Sequence, residues 1–471
     1  MENIKPYTKY KSSGISWLGD VPEHWSIKRI KYVFKEQDKR SEIGLENLLS
    51  VSHYTGVTRK SDKVMNGDFM TNAKTLVGYK IVEKGDLVIN IMLAWNGSLG
   101  ISKFDGITSP AYCVYKSLIG GEKYFGYLFR TKNAQQEFKK QSTGIIDSRL
   151  RLYTDKFFNI KTVIPSLEEQ TAIANFLDYK VAKIDRFISK KKQLIKLLNE
   201  QKAGIINHVV TKGLDPNATM KDSGIEWLGE IPKHWGVRKL KYVADCFPSN
   251  IDKHTKEDEQ QVRLCNYTDV YKNDFIINNM NLMIASASVD QIEKFSLLKG
   301  DVIITKDSET ANDIAVPAFV KEDLENVVCG YHLSVLRPSS KLVGEYLFRT
   351  LQCKSINIQF ELCSNGVTRV GLGVYDMKKA RIPIPPINEQ KLIISHIEKE
   401  TSQLNQLIQT IEKEIALTQE YRTALIAEAV TGKIDVRAFV IPTVSEQEEL
   451  YEEIEEELDM VAEDAESYEN E

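Results

Sequence analysis

The sequence predicts an α+β protein in which two tandem-repeated α/β domains are each followed by a long helix, with approximate two-fold symmetry. Three observations lead to this fold class. A stretch of about 210 residues occurs twice in related form, short apolar runs recur at matching places, and each repeat ends in a long heptad pattern. At 471 residues the chain is long enough for several domains with buried cores.

The repeat is clearest at the start of each half. Residues 13–33 and 223–243 are identical at 12 of 21 positions, and both contain Trp-Leu-Gly followed by Pro-x-His-Trp. A period this long excludes a solenoid, whose units span about 20–50 residues. We therefore expect two whole domains in tandem. Shorter matches follow in the same order: Lys84–Asp86 with Lys299–Asp301, Tyr127–Thr131 with Tyr346–Thr350, and Ile164–Gln170 with Ile384–Gln390.

The repeated histidines of these opening segments, His24 and His234, could suggest a metal or catalytic site. Each lies in the same Pro-x-His-Trp context. Because the context is repeated as a whole, we interpret it as a packing motif in which the tryptophans pack against the long helices.

Strand patterns precede helix patterns in each half. Residues 86–90 and 301–305 are apolar runs opened by Lys-Gly-Asp, which favours strands that follow a turn. Residues 168–210 and 388–430 carry apolar side chains on alternating three- and four-residue steps. Such spacing over four heptads indicates a coiled-coil seam, so the two helices can pack on each other. Gly213 with Pro216 ends the first helix, and Gly432 ends the second.

Composition limits the possible classes of protein. The chain has 62 Lys+Arg and 66 Asp+Glu, but residues 446–471 hold 14 acidic and no basic residues, which leaves the remainder at about +10. A basic body with an acidic tail is typical of a protein that meets a polyanion. Six cysteines without a Cys-x-x-Cys pair indicate neither a zinc site nor a disulfide framework. The chain has no apolar run of about 18–20 residues and no signal-like N-terminus, so we expect a cytoplasmic protein.

Catalytic motifs are incomplete in this sequence. Gly121 and Gly126 have the spacing of a phosphate-binding loop, but Tyr127 and Leu128 stand where Lys and Ser/Thr are required. An amino-methyltransferase needs an Asn/Asp-Pro-Pro-aromatic loop, and residues 384–387 lack both its polar start and its aromatic end. We therefore expect no cofactor, no metal and no catalytic residue on this chain.

The repeat, the helices and their junction motifs resemble the specificity subunit of type I restriction–modification enzymes. The resemblance covers residues from about 10 to 437 and leaves only the acidic tail unmatched. Its specific pieces are the Trp17–Trp25 and Trp227–Trp235 segments, the two Ile-Pro-x-x-x-Glu-Gln helix starts, and Glu428–Val436.

The resemblance implies two target recognition domains, each of which reads one half of a bipartite, asymmetric DNA site. Two long antiparallel coiled-coil helices would separate these domains, set the spacer and dock the methylation subunits. The implied partners are double-stranded DNA, two methylation subunits and restriction subunits, and those subunits would use S-adenosylmethionine, ATP and Mg²⁺. The chain itself would be the non-catalytic subunit of an endonuclease and adenine-N6 methyltransferase. The expected segments are recognition domain 1 in 1–165 with its opening segment 13–33, a central helix in 166–212, recognition domain 2 in 213–385 with its opening segment 223–243, a C-terminal helix in 386–437 and an acidic tail in 438–471.

Candidates for DNA contact lie in loops between the repeated motifs, where the two halves diverge. Arg, Asn and Lys can bond to base edges, while Ser, Thr and Lys usually bond to phosphates. In the first half the candidates are His53, Tyr54, Arg59, Lys60, Trp95, Asn96, Ser148, Arg149 and Arg151. In the second half they are Arg263, Asn266, Tyr267, Lys306, Ser308, Thr310, Thr368 and Arg369.

Two other interpretations remain open from the sequence. One is a self-contained DNA nuclease with unrecognised catalytic residues, and the other is a coiled-coil scaffold without DNA readout. DNA-binding and methylation assays on the purified chain distinguish these interpretations.

Overall fold

The computed structural model describes residues 5–63, 73, 75–366 and 369–441. These residues form two compact units. The first unit contains the chain up to Lys191 and the residues from Lys413 onward, and the second unit is Lys192–Glu412. Both units mix helices with strands, which confirms the α+β class. The acidic tail lies outside the described residues from residue 442 onward.

The strands of the first unit are short and pair antiparallel. They are β1 (Tyr10–Ser12), β2 (Asp20–Pro22), β3 (Ser26–Arg29), β4 (Phe34–Gln37), β5 (Leu49–Ser52), β6 (Gly56–Arg59), β7 (Lys80–Val82), β8 (Leu87–Asn90), β9 (Leu99–Ile101), β10 (Gly106–Thr108), β11 (Tyr112–Ser117) and β12 (Lys161–Ile164). Strands β4, β11, β8 and β9 form the central sheet in that order, and β5 forms a hairpin with β6. The remaining pairs are β1 with β2, β3 with β12 and β7 with β10. All four residues of β8 are buried, so the strand predicted over 86–90 is confirmed as a core strand.

The helices of the first unit pack on this sheet through aromatic side chains. They are α1 (Glu122–Phe129), α2 (Lys132–Gln141), α3 (Thr154–Asn159) and the first part of α4 (Leu167–Lys212). The ring centroid of Phe129 on α1 lies 5.8 Å from those of Phe138 on α2 and Phe157 on α3. These three rings are fully buried. Because large buried rings interdigitate tightly, they hold α1, α2 and α3 together.

The second unit has a larger, mixed sheet. Its strands are β13 (Met220–Asp222), β14 (Glu230–Pro232), β15 (Gly236–Lys239), β16 (Ala244–Pro248), β17 (Gln260–Cys265), β18 (Phe275–Ile276), β19 (Met283–Ala287), β20 (Val302–Thr305), β21 (Asp307–Ser308), β22 (Pro317–Val320), β23 (Val327–Cys329), β24 (Leu333–Pro338), β25 (Val370–Gly371) and β26 (Arg381–Ile384). The main sheet has the order β16-β24-β20-β22-β18, and β19-β17-β23 form a second sheet. The residues of β20 are all buried, which confirms the strand predicted over 301–305.

The helices of the second unit are short, except for its part of the second long helix. They are α5 (Tyr267–Lys272), α6 (Val289–Phe295), α7 (Gly344–Gln352), α8 (Lys354–Cys363), α9 (Val374–Lys379) and most of α10 (Ile387–Val430). Helices α7 and α8 follow each other directly, as α1 and α2 do in the first unit.

Each long helix contributes one segment to each unit. In the first unit, Arg422 of α10 donates to Asp185 of α4 through Nε and Nη2, at 2.8 and 3.2 Å. Further along, the Lys191 ammonium lies 3.7 Å from the Glu414 carboxylate. Residue numbers therefore rise along α4 while they fall along α10, so the segments run antiparallel.

The second unit shows the same direction of pairing. The last turns of α4 and the first turns of α10 share one hydrophobic core, to which Val210 and Ile393 belong. Leu194 is fully buried, and its neighbour Ile195 is half-buried. The buried face of α4 is thus wider than a strict coiled-coil seam, as expected of a helix that also covers a domain.

The two repeated motifs meet at the start of each long helix. In the first unit, Glu169 accepts hydrogen bonds from Nε1 of the fully buried Trp25, at 3.3 Å, and from Nε2 of His24, at 2.8 Å. In the second unit, Glu389 bonds in the same way to Trp235, at 2.9 Å, and to His234, at 2.8 Å. The interpretation of the Pro-x-His-Trp segment as a packing motif is confirmed.

In each unit, the C-terminal end of the other long helix packs against the same tryptophan. Helix α4 ends before Gly213 (φ +83°), beside Trp235. Gly432 follows α10 with φ +73° and lies against Pro22 and Trp25. Each buried indole therefore joins the start of one long helix to the end of the other within its unit.

One repeated motif is out of structural register. The hydroxyl of Tyr124 donates to the carbonyl of Val430, and that of Tyr346 donates to the equivalent carbonyl of Val210. Tyr124 therefore corresponds to Tyr346, although the matching Tyr-Leu-Phe-Arg-Thr sequence begins at Tyr127. A shift of three residues is nearly one helical turn, so it keeps the same face inward. The sequence match at Tyr127 was wrong in register.

We predict that Gly432→Ala destabilises the protein more than Gly14→Ala does. Both glycines have φ near +65° to +73°, so each Ala costs about 1–2 kcal/mol in backbone strain. Only at Gly432 would the new Cβ lie 2.9 Å from Trp25, which adds about 1–3 kcal/mol of overpacking. Denaturant unfolding of the two variants measures the difference, and equal losses of stability would contradict the tight junction.

Candidate nucleic-acid interface

The first predicted loop of the first unit is the turn of the β5–β6 hairpin. The ladder closes at the Ser52–Gly56 pair, and Gly56 has φ +67°, as a three-residue hairpin turn requires. The Ser52 hydroxyl accepts the backbone N–H of Tyr54 at 3.2 Å. The Tyr54 side chain is 81% exposed, and its ring centroid lies 3.6 Å from that of His53. The turn thus presents two aromatic rings from a fixed backbone.

Arg59 and Lys60 follow at the end of this hairpin. Arg59 is exposed, and its guanidinium lies 4.6 Å from the centroid of the Phe104 ring. Lys60 is half-buried, and its backbone N–H donates to the carbonyl of Leu48 at 2.8 Å. A guanidinium stacked on a ring keeps its donors in the plane, where they can bond to other groups.

The second predicted loop is a 3₁₀ turn that follows β8. It carries the half-buried Trp95, whose Nε1 donates to the Met92 carbonyl at 3.1 Å, and the exposed Asn96. The Ser98 hydroxyl donates to the carbonyl of Val51 in β5 at 3.2 Å. This bond ties the Trp95 turn to the hairpin.

The third predicted loop follows α2. Thr143 and Arg151 exchange two backbone hydrogen bonds of 2.9 Å, which close the loop at its base. Within it, Asp147–Arg149 forms a 3₁₀ turn in which Arg149 is exposed. The Asp147 carboxylate accepts a bond from Lys139 Nζ at 2.8 Å. This ion pair attaches the loop to α2.

In the second unit, backbone pairing brings two predicted loops together. Strand β21 pairs with β25, so Ser308 lies opposite Val370, next to the exposed Arg369. The carbonyl of Lys306 accepts the backbone N–H of Leu372 at 2.8 Å. Lys306 and Arg369 thus belong to one surface, whereas Ser308 between them is only 3% exposed; the exposed Thr310 follows on the same loop.

Asn266 and Tyr267 join this surface from α5. Asn266 caps the helix together with Asp269. The Tyr267 ring stacks on that of Tyr271, with centroids 5.5 Å apart and planes at 14°. Burial raises the pKa of Tyr267, while its hydrogen bond with Ser308 opposes that shift. Tyr267 therefore lies close to Ser308, in the loop that follows β20.

Two predicted contacts cannot be placed in this way. Thr368 lies outside the described residues, and so does the side chain of Ser148.

Arg263 lies apart from the other candidates. Its Nη1 donates to Asn278 Oδ1 at 2.8 Å, and its Nη2 donates to the carbonyls of Asn278 and Met280, the latter at 2.9 Å. These bonds hold the segment between β18 and β19 against β17. The guanidinium is therefore committed to the fold of its own domain.

The second surface also includes Tyr331 and His332, which are not among the predicted contacts. The His332 ring Nδ1 lies 2.8 Å from the Asp307 carboxylate, and Tyr331 is 41% exposed. The His332 carbonyl also accepts the backbone N–H of Lys306 at 3.0 Å. A polar Gly-Tyr-His sequence directly before the apolar strand β24 was the available signal.

The first surface also includes three residues that are not among the predicted contacts: Arg130, Gln135 and Lys139. They lie at the end of α1 and on α2, and each contacts a predicted loop. For Arg130, the available signal in the sequence was its place in the repeated Tyr-Leu-Phe-Arg-Thr segment.

The two surfaces differ in charge. The first combines aromatic rings with exposed cations, whereas in the second Asp307 and Asp313 lie beside Lys306 and Arg369. The hydrogen bond to Asp313 raises the pKa of Tyr271. Cationic side chains donate to guanine and phosphate acceptors, while carboxylates accept from amino groups of cytosine. The two surfaces therefore present different sets of hydrogen-bond donors and acceptors.

The described residues lack metal-binding clusters and membrane-spanning helices. They hold no group of three or more His, Cys, Asp or Glu residues arranged to bind a metal ion. Among the described helices, none combines the length and the apolar composition needed to cross a membrane.

Comparison with known families identifies this architecture. A family model described as the type I restriction modification DNA specificity domain matches residues 22–197 and 232–417. The chain belongs to this family. Each matched segment contains one set of candidate loops and the beginning of one long helix.

Curated specificity subunits are similar along most of their length. The type I restriction enzyme MjaVIII specificity subunit of Methanocaldococcus jannaschii is 23% identical over 88% of this chain and 94% of that protein. The EcoKI specificity subunit of Escherichia coli K12 is 21% identical over 88% of this chain and 90% of that protein. Neither a nuclease nor a scaffold without DNA readout is supported by these matches.

A solved structure shares the fold. It comes from work on the structural basis of complex assembly and conformational transition of the type I R-M system. The match has a TM-score of 0.61 at 14% identity and covers 87% of this chain and 98% of that one.

For the second specificity domain we predict that Arg263→Met and Arg369→Met have different effects. Arg263→Met should lower the free energy of unfolding by about 2 kcal/mol or more, because it leaves acceptors without charged donors. Arg369→Met changes an exposed side chain and should stay within about 0.5 kcal/mol of the wild type. Urea unfolding of both variants is the measurement. A stable Arg263→Met variant would return Arg263 to the set of DNA-contact candidates.

Proposed function

We propose that this chain reads a bipartite, asymmetric DNA site for a type I restriction–modification complex, with one half-site read by each specificity domain. The chain is a type I specificity subunit with two domains of one family. Its similar relatives carry the name of specificity subunits of type I restriction enzymes.

The observation that carries this proposal is the clustering of loops from distant parts of each domain. In the second domain, β21–β25 pairing joins two candidate loops, and Tyr267 of α5 lies close to Ser308 in one of them. In the first domain, the Ser98–Val51 bond joins the hairpin to the Trp95 turn, and Lys139 contacts both Trp95 and Asp147 of the third loop. Base readout needs several side chains held together on one face, so such clusters are where specificity can arise.

The asymmetry of the site follows from differences between the two clusters. The first presents Tyr54, Trp95 and Arg149, and the second presents Tyr267, Lys306 and His332. Different donors and acceptors select different base edges. We therefore expect two unlike half-sites at a fixed separation.

The partners complete the activity. Two methylation subunits would dock on the helices and domains, and restriction subunits would join the assembly. These subunits would use S-adenosylmethionine, ATP and Mg²⁺, and would methylate adenine N6 once in each half-site on opposite strands. This chain would supply recognition without catalysis, in the cytoplasm.

We predict that Arg149→Ala and Arg369→Ala each weaken binding to one half-site. Loss of a base contact should cost about 1–3 kcal/mol on the cognate site. The measurement is binding of the assembled complex to duplexes in which one half-site at a time is altered. Each variant should lose discrimination at a base position of its own half-site and keep it in the other half-site.

The pattern of loss distinguishes the possible roles of these arginines. An equal loss on unrelated DNA, with a smaller salt dependence, would identify phosphate contacts instead. Unchanged binding to every duplex would remove the two residues from the interface.

We further predict that the long helices set the distance between the half-sites. Four residues inserted in each helix, near Leu194 and near Glu414, add about 6 Å at 1.5 Å per residue. Since successive phosphates lie about 3.4 Å apart, the preferred spacer should lengthen by about one to two base pairs. Methylation of duplexes whose spacers differ by single base pairs measures this shift.

Insertion into only one helix serves as the control, because it should break the pairing rather than lengthen it. The double insertion enters the heptad frame as a stutter, so some loss of stability is expected. An unchanged spacer optimum in a folded, active double variant would refute this role of the helices.

A further inference from the structure

One face of α2, with the residue that follows α1, touches all three candidate loops of the first domain. Gln135 and Lys139 are four residues apart and therefore lie on the same side of the helix. Arg130 precedes the helix, whose N-cap is Thr131. We infer that Arg130, Gln135 and Lys139 are positioning residues that fix the arrangement of the reading loops and so set how strictly one half-site is recognised. This inference rests on the proposed function.

Arg130 holds the hairpin turn. Its Nη2 donates to the carbonyls of His53 and Tyr54, at 2.7 and 2.9 Å. The turn carries the two aromatic rings of the surface, and both bonds act on the backbone that bears them. The guanidinium therefore orients these rings without touching them.

Gln135 links Arg130 to the Trp95 turn. Its Nε2 donates to the Arg130 carbonyl at 2.9 Å. The same amide lies against Gly97, where an added Cβ would be 2.7 Å from Nε2, and Gly97 has φ +77°. The Trp95 turn therefore ends at Gly97, which contacts the same Gln135 amide that bonds to Arg130.

Lys139 extends the connection to the third loop. Its ammonium lies 5.0 Å from the centroid of the Trp95 ring and 2.8 Å from the Asp147 carboxylate. One side chain therefore contacts both the second and the third reading loop.

These contacts bear on specificity more than on stability. Exposed ion pairs and single hydrogen bonds add little to folding. Base readout, however, requires side chains to be held within about 0.5 Å of their productive geometry. Loops that lose their support still offer cations to phosphates, but they lose their discrimination between bases.

The second domain uses an equivalent position. Asn357 is the fourth residue of α8, as Gln135 is the fourth residue of α2. Its Nδ2 donates to the carbonyl of Leu351 at 3.4 Å, in α7, and to that of Ala315 at 3.2 Å. Ala315 closes the loop that begins at Lys306 and has the positive φ of 58°. Two unlike reading loops are thus supported from the same helical position.

The experiment compares Gln135→Leu with Asn357→Leu in the full complex with its methylation subunits. Both changes replace an uncharged amide by an uncharged apolar side chain, so they remove the hydrogen bonds without altering the net charge. The complex is given a library of duplexes with randomised half-sites, and methylated adenines are sequenced to measure the discrimination at every base position. Gln135→Leu should reduce discrimination at least about tenfold in one half-site, and Asn357→Leu should do so in the other.

A pair of adjacent lysines provides a control for charge and folding. Lys139→Gln and Lys140→Gln remove the same charge from the same helix, but only Lys139 contacts both Trp95 and Asp147 among the bonds described above. Lys139→Gln should relax the half-site that Gln135→Leu relaxes, and Lys140→Gln should leave both half-sites intact. This pair remains decisive if Gln135→Leu lowers the melting temperature.

The outcomes separate the inference from the proposed function. Unchanged discrimination in Gln135→Leu and Lys139→Gln, or an equal loss of affinity for all DNA, would overturn the positioning role. Relaxation of both half-sites by Lys139→Gln would overturn it as well. A wild-type complex that methylates no bipartite site would instead overturn the proposed function.

Discussion

A carboxylate at the start of each long helix organises the unit to which it belongs. Glu169 is 5% exposed, and burial acts to raise its pKa, but hydrogen bonds from His24 and Trp25 lower the pKa overall. The carboxylate therefore stays charged and keeps the indole in place. The indole in turn covers the glycine that follows the other long helix. The start of one long helix, the end of the other and the core of the domain therefore meet at this carboxylate. In the second unit, Glu389 accepts the equivalent hydrogen bonds from His234 and Trp235.

The repeated framework was predictable because identical residues perform identical tasks. The Pro-x-His-Trp and Glu-Gln motifs each recur, so their meeting at Glu169 and Glu389 could be anticipated as packing. The reading surfaces could be predicted only as loops. Arg263 and Arg369 are the same residue type in similar polar segments, yet Arg263 is committed to Asn278, a partner that no local pattern reveals.

The two domains use a common frame to hold unlike loops. A β-hairpin carries His53 and Tyr54 in the first unit, whereas the short helix α5 carries Tyr267 in the second. Supports such as Gln135 and Asn357 belong to the frame and not to the loops. A loop can therefore change its sequence while the junction and the helix pair stay the same.

The division of the long helices has a consequence for synthesis of the chain. The core of the first unit includes Leu425, Ala429 and Val430, and Tyr124 donates to the Val430 carbonyl across 306 residues of sequence. At about 5–20 residues per second, a ribosome needs roughly 15–60 seconds to add that stretch. During this interval the nascent first unit exposes the apolar surface that α10 later covers. The first unit is therefore synthesised first but completed last. Until α10 has emerged from the ribosome, this unit depends on protection from aggregation.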